Sequence, residues 1–123
     1  MNSTNFKLAD TNFLINVSQD NPIVYPFLDI DICISFITEI ELLGVFSINK
    51  TQKSNVQKML NSCFVMEMNP EIKQITINLK QKYKLKLADA IIAATAIHYN
   101  LMFITSDADF KSIKELELIY LEK

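Results

Sequence analysis

Asp10, Glu41, Asp89 and Asp107 have the residue type and setting to do chemistry, because each stands at or near the joint between an apolar run and a segment of different periodicity. Three of them have an ordinary structural use. Asp10, closing Phe6-Lys7-Leu8-Ala9-Asp10, fits an Asx turn or the N-cap of a following helix. Glu41 completes Thr38-Glu39-Ile40-Glu41, the spacing of a capping box in which Thr38 caps a helix and the glutamate satisfies the cap's N–H. Asp107, in Thr105-Ser106-Asp107-Ala108-Asp109-Phe110, can cap a short helix. Asp89 differs, because it stands within Leu87-Ala88-Asp89-Ala90-Ile91-Ile92-Ala93-Ala94, where burying an unpaired carboxylate costs on the order of several kcal/mol. It pairs with Lys84 or Lys86, rests on the positive end of its helix, or faces a cation.

Other chemistries are poorly supplied. One histidine, His98, and two cysteines, Cys33 and Cys63, nearly exclude a zinc site, and they exclude Ser-His-Asp and Cys-His catalysis unless His98 serves. Both cysteines sit among apolar neighbours and read as buried thiols of a reducing compartment. All 12 positive side chains are lysine against 14 acids, a net charge of −2. Lysine meets phosphate as a point charge without arginine's bidentate fork, so any nucleic-acid contact favours backbone over base sequence, and specific duplex readers are excluded.

The elements that must position these acids are legible in outline. With 123 residues, half of them apolar, the chain suits one domain over 1–123. Strands are expected at 6–10, 30–35, 63–66, 102–105 and 116–120. Helices are expected at 11–17, from Thr38 to about Gly44, 49–61, from Pro70 through Leu79, 87–99 and 107–113, with turns or a short helix at 21–26. The helix after Pro70 is expected to use Ile72, Ile75, Ile77 and Leu79 as its apolar positions, and 87–99, apolar on nearly every side, should be buried. This alternation predicts an α/β fold of three layers, a mostly parallel central sheet flanked by helices. The first residues carry no apolar signal core and no run approaches the roughly 20 residues that span a bilayer, so a cytoplasmic protein is expected.

In a parallel sheet ligands bind at the carboxyl ends of the strands. If the first, second and fourth strands are neighbours, Asp10 and Asp107 lie at that rim, and Glu41 and Asp89 reach it from helices. Four carboxylates there repel one another unless a hard divalent ion neutralises them. Oxygen-only ligation suits Mg²⁺ or Mn²⁺, which keep coordinated waters and engage phosphate oxygens. Such an ion can activate water for phosphodiester cleavage.

Four segments in order resemble one family. Leu8-Ala9-Asp10-Thr11-Asn12-Phe13-Leu14-Ile15 resembles the opening of PIN domains. Ser35-Phe36-Ile37-Thr38-Glu39-Ile40-Glu41-Leu42-Leu43-Gly44 is similar to their second acidic segment, and Leu85 through Ala96 to the third. Thr105-Ser106-Asp107-Ala108-Asp109-Phe110 resembles the fourth. The likeness covers nearly the whole chain and is close to the short VapC-type toxins of toxin–antitoxin pairs. It implies a PIN-like fold and a Mg²⁺- or Mn²⁺-dependent ribonuclease. Asp10, Glu41, Asp89 and Asp107 would form its catalytic and metal-binding site, with Asn12 and Thr105 as polar support. It further implies a homodimer and a cognate antitoxin that blocks the site, to which the apolar Ile23-Val24-Tyr25-Pro26-Phe27 adds a candidate dimer surface.

Lesser expectations complete the reading. Lys84 and Lys86, in the basic segment leading to Asp89, are candidate RNA phosphate contacts, with a solvated loop as the equal alternative. Between Asp107 and Asp109, Asp107 is expected on the rim and Asp109 in a solvated supporting role. His98 reads as structural, and Tyr25, Tyr83 and Phe110 serve packing before base stacking. Two rivals stand beside the nuclease: a catalytically silent interaction module of the same fold, and a Mg²⁺-binding phosphoacceptor domain. The latter needs an exposed aspartate at a central strand end and a lysine after a later strand.

Overall fold

The computed structural model describes residues 6–122. Five strands, β1 (Phe6–Ala9), β2 (Asp31–Ser35), β3 (Phe64–Met66), β4 (Met102–Thr105) and β5 (Leu118–Tyr120), form one sheet in the order β3-β2-β1-β4-β5. Every pairing is parallel, with Leu8 opposite both Cys33 and Phe103. Five α-helices intervene: α1 (Thr11–Ser18), α2 (Phe36–Leu43), α3 (Lys50–Asn61), α4 (Pro70–Lys82) and α5 (Leu87–Tyr99). Short 3-10 helices occupy Pro22–Phe27 and Ala108–Ser112.

The two-residue period of the strands divides the core. Leu8, Cys33 and Phe103 point to one face, where they pack with Ile72 and Leu79 of α4 and the small residues Ala90, Ala93 and Ala94 of α5. Ala9, Ile34 and Ile104 point to the other, against Phe13 and Leu14 of α1 and Leu60 of α3. Both faces are therefore covered, as a parallel sheet requires. The expected burial of α5 holds from Ala90 to Ala96 but not at its ends, where Leu87 and Tyr99 are exposed. The helix ends at Asn100, whose φ of 55° is the left-handed conformation that asparagine tolerates.

Three local expectations are corrected. Thr38 does not cap a helix: α2 starts directly from β2, with Ser35 as N-cap accepting from the Ile37 N–H at 3.1 Å, and Thr38 is buried inside the helix. A capping box does occur, at Asn49 and Gln52 of α3, where each side chain accepts from the other's backbone N–H. On α4 the inward position is Thr76, its hydroxyl donating to the Ile72 carbonyl, whereas Ile77 is exposed. Cys33 is fully buried, but Cys63 is only half-buried. Gly44 ends α2 as expected, and a Cβ there would lie 2.6 Å from the Ile40 carbonyl oxygen, so only glycine fits.

The chain runs from β1 to β2 to β3 on one side and then crosses to place β4 on the other side of β1. The carboxyl ends of β1 and β4 thus flank the point where strand order reverses, the place where open α/β sheets leave a crevice.

Candidate active site in the acidic cleft

Asp10 follows the last residue of β1 and is 3% exposed. Its Oδ1 accepts from the Phe13 N–H at 2.9 Å, which makes it the N-cap of α1. Its Oδ2 accepts from the Thr105 hydroxyl at 2.5 Å. Burial raises the carboxyl to about 6 despite those two hydrogen bonds, with Asp107 and Asp89 adding to the rise. Thr105, fully buried at the end of β4, also accepts from the Asp107 N–H at 2.9 Å. One hydroxyl so ties the ends of both central strands together.

Glu41 is exposed on α2, and its Oε1 accepts from the Thr11 hydroxyl at 2.5 Å. Thr11 is also hydrogen-bonded to the buried Thr38 hydroxyl at 3.1 Å. Asp89 lies in the first turn of α5, half-buried. No hydrogen bond or ion pair holds it among the described residues, and neither Lys84 nor Lys86 is its partner. Burial raises its carboxyl first, then Asp107 and Glu41, while Lys86 opposes more weakly. Asp107 accepts from the Asp109 N–H at 2.9 Å and caps the second 3-10 helix.

A cavity of about 280 Å³ opens between these elements, lined by Asp10, Glu41, Asp89 and Asp107, by Thr11 and Asn12, and by apolar Ile92 and Phe110. No lysine lines it. Asp109 is exposed and stands outside the lining, and so do Lys84 and Lys86. His98 lies 3.3 Å from the Asn69 amide and against Tyr99, in a structural setting. Phe110 is core, edge-on to Phe103, and Tyr83 bonds Glu115. Thr11 and Thr38 carry no sequence signal beyond lying in acidic segments, because their contacts span 27 and 30 residues.

The donor set, four carboxylates with Lys86 acting on Asp89 only from outside the lining, is that of a hard divalent ion. Among the described residues no three ligating side chains close into a ready-made cluster. An ion there would meet one or two of these carboxylates directly and the rest through its own waters, the way Mg²⁺ is bound.

A parallel sheet of this order with acids at its switch point places the chain among the open α/β folds that take a ligand at the strand carboxyl ends. The PIN domain family model matches residues 7–116, and the chain belongs to that family. Among individual proteins it is 25% identical to Ribonuclease VapC6 of Methanocaldococcus jannaschii, over 92% of this chain and 80% of the relative. It is similar at 30% identity to a chain of a toxin–antitoxin complex from Klebsiella pneumoniae, with a TM-score of 0.78 and coverage of 92% and 95% of the two chains. It shares its fold with a chain of VapBC2 from Rickettsia felis bound to a promoter DNA fragment, at 22% identity, TM-score 0.79 and coverage of 95% and 99%. No helix among the described residues is long and apolar enough to cross a membrane.

Proposed function

We propose that this chain is an endoribonuclease that hydrolyses RNA phosphodiester bonds with Mg²⁺ or Mn²⁺, as the toxin of a toxin–antitoxin pair. The observation that carries the reading is the lining of one cavity by carboxylates from four separate elements with no lysine among them. The relative named as a ribonuclease and the relative within a toxin–antitoxin complex support the activity and the biological role.

When bound, the ion supplies an activated water and offsets charge developing on the phosphate oxygens. Asp10, Glu41, Asp89 and Asp107 would hold it, one or two directly and the others through its waters. Thr105 and the Phe13 N–H fix the Asp10 carboxylate, and Thr11 fixes Glu41. Asn12, which lines the same cleft, serves as polar support. A phosphoacceptor role fits poorly, because Asp10, the aspartate at the end of the central strand, is buried with both oxygens already accepting hydrogen bonds.

The partners follow from the same charge. An antitoxin blocks the site by inserting an arginine or lysine among the acids. The chain works as a homodimer; of the expected surface 23–27, Val24 is core and Ile23 and Phe27 pack against it, which leaves Tyr25 and the following Leu28 as exposed apolar surface. The test is RNA cleavage with Mg²⁺ or Mn²⁺: Asp10→Asn and Asp89→Asn should abolish it with far-UV circular dichroism unchanged. Undiminished cleavage in excess chelator defeats the metal mechanism. Absence of cleavage by the wild-type chain leaves the silent interaction module as the better reading.

A further inference from the structure

A second cavity, of about 460 Å³, adjoins the acidic cleft and shares Asn12 and Asp107 with it. Its other polar lining is Ser106, Lys111, Tyr120 and Glu122. Among the described residues Lys111 is the one cation on the walls of either cavity. It is exposed, and its Nζ stands 3.9 Å from the centre of the Tyr120 ring, on the edge strand β5. Such a contact holds the ammonium by the ring's negative face and leaves its N–H donors directed outward. Ser106 is only 7% exposed, yet no hydrogen bond among the described residues uses its hydroxyl. Because no fully buried side-chain oxygen is left unpartnered, that hydroxyl retains access to the cavity it lines. Asp107 and Glu122 line the same cavity; with Asp107 offset by an ion in the adjoining cleft, Lys111 and the recessed Ser106 hydroxyl present donors to an anion across from Glu122.

We infer that this cavity binds a backbone phosphate flanking the scissile one, with Lys111 as the charge, Ser106 as a hydrogen-bond donor and Tyr120 as the residue that positions Lys111. The inference rests on the ribonuclease reading and adds to it the route of the RNA strand. A polyanion entering a cleft of four acids needs an adjacent cation, and Lys84 and Lys86 line neither cavity. The contact is to phosphate and carries no base preference.

The test measures binding of a labelled single-stranded RNA of mixed sequence to the Asp10→Asn chain, so that nothing is cleaved, across a potassium chloride titration. Adding Lys111→Gln should weaken binding about fivefold and flatten the log–log salt slope by about 0.7, the loss of one single-strand phosphate contact. Lys111→Arg should restore most of both. Tyr120→Phe should bind normally and Tyr120→Leu poorly, because the ring face and not the phenol is used. Lys114→Gln removes the same charge from an exposed site outside the cavity and should change little. In the cleaving chain, Lys111→Gln should raise KM with kcat within about a factor of two, as expected for uniform binding. If Lys111→Gln matches Lys114→Gln in affinity and slope while the wild-type chain cleaves RNA, the phosphate site is wrong and the ribonuclease stands. If the wild-type chain neither binds nor cleaves RNA, both fall.

Discussion

Thr105 donates its hydroxyl to the Oδ2 of Asp10 at 2.5 Å, closing a separation of 95 residues where β4 meets β1. The Thr105 Oγ1 itself accepts the Asp107 N–H, so one buried threonine sets the relative position of two of the four acids. Its removal should be felt in stability and in the ionisation of Asp10 together. Thr105→Val leaves the Asp107 N–H and a carboxylate oxygen without partners, a loss of about 1–3 kcal/mol. Because the lost bond favours the charged carboxylate, Asp10 should also titrate higher. Thr105→Ser should recover most of both. Urea unfolding and NMR titration of the aspartate carboxyls read them, and a valine variant as stable as wild type contradicts the role.

Asp10 predicts a pH dependence of the metal-free protein. Its folded value of about 6 lies above the ordinary 3.8, so the fold holds the proton more tightly than the unfolded chain does. That stabilisation is complete below the unfolded value and is lost as pH rises through about 6. With chelator present, the Asp10 contribution should fall by up to about 3 kcal/mol between pH 3.8 and 7.5. Asp10→Asn should flatten this slope and be the more stable form at pH 7.5. A wild-type stability that rises over that interval as steeply as in the variant is the contrary result.

Thr11 predicts a kinetic effect without a large structural one. Glu41 is exposed, and its orientation depends on the Thr11 hydroxyl. Thr11→Val should lower RNA cleavage about tenfold, a loss of about 1.4 kcal/mol of transition-state stabilisation. Thr11→Ser should keep most activity. Equal rates in threonine and valine chains would show that Glu41 needs no such support.

Asp107 and Asp109 are separated by thermal unfolding with and without Mn²⁺. Asp107 lines the acidic cavity and Asp109 does not. Asp107→Asn keeps an oxygen to accept the Asp109 N–H and relieves repulsion with Asp10 and Asp89, so the metal-free protein should be equally or more stable. The increase in Tm that Mn²⁺ gives should shrink, since ligand stabilisation follows affinity for the folded state. Asp109→Asn should leave that increase intact, and the reverse pattern would exchange the two residues.

Short-range physics made much of this protein legible from its residues alone. The alternation of β-branched runs with helical periods specifies an α/β chain, and the small, apolar 87–99 segment specifies a buried helix. An acid at each of four joints was visible for the same reason, since caps and turns depend on neighbours a few residues away. The same locality misassigned Thr38: its spacing to Glu41 matches a capping box, but Ser35, at the end of β2, takes the cap and draws Thr38 into the interior. What local pattern does not carry is the order of the strands. Placing β4 beside β1 brings Thr105 to Asp10, and seating α2 beside α1 brings Glu41 to Thr11. The adjoining cavity with Lys111 on Tyr120 likewise exists only because β5 pairs with β4. Burial and charge are sums over neighbours remote in sequence, so which acids meet, and how far each is pushed from its ordinary ionisation, were decided by the tertiary structure.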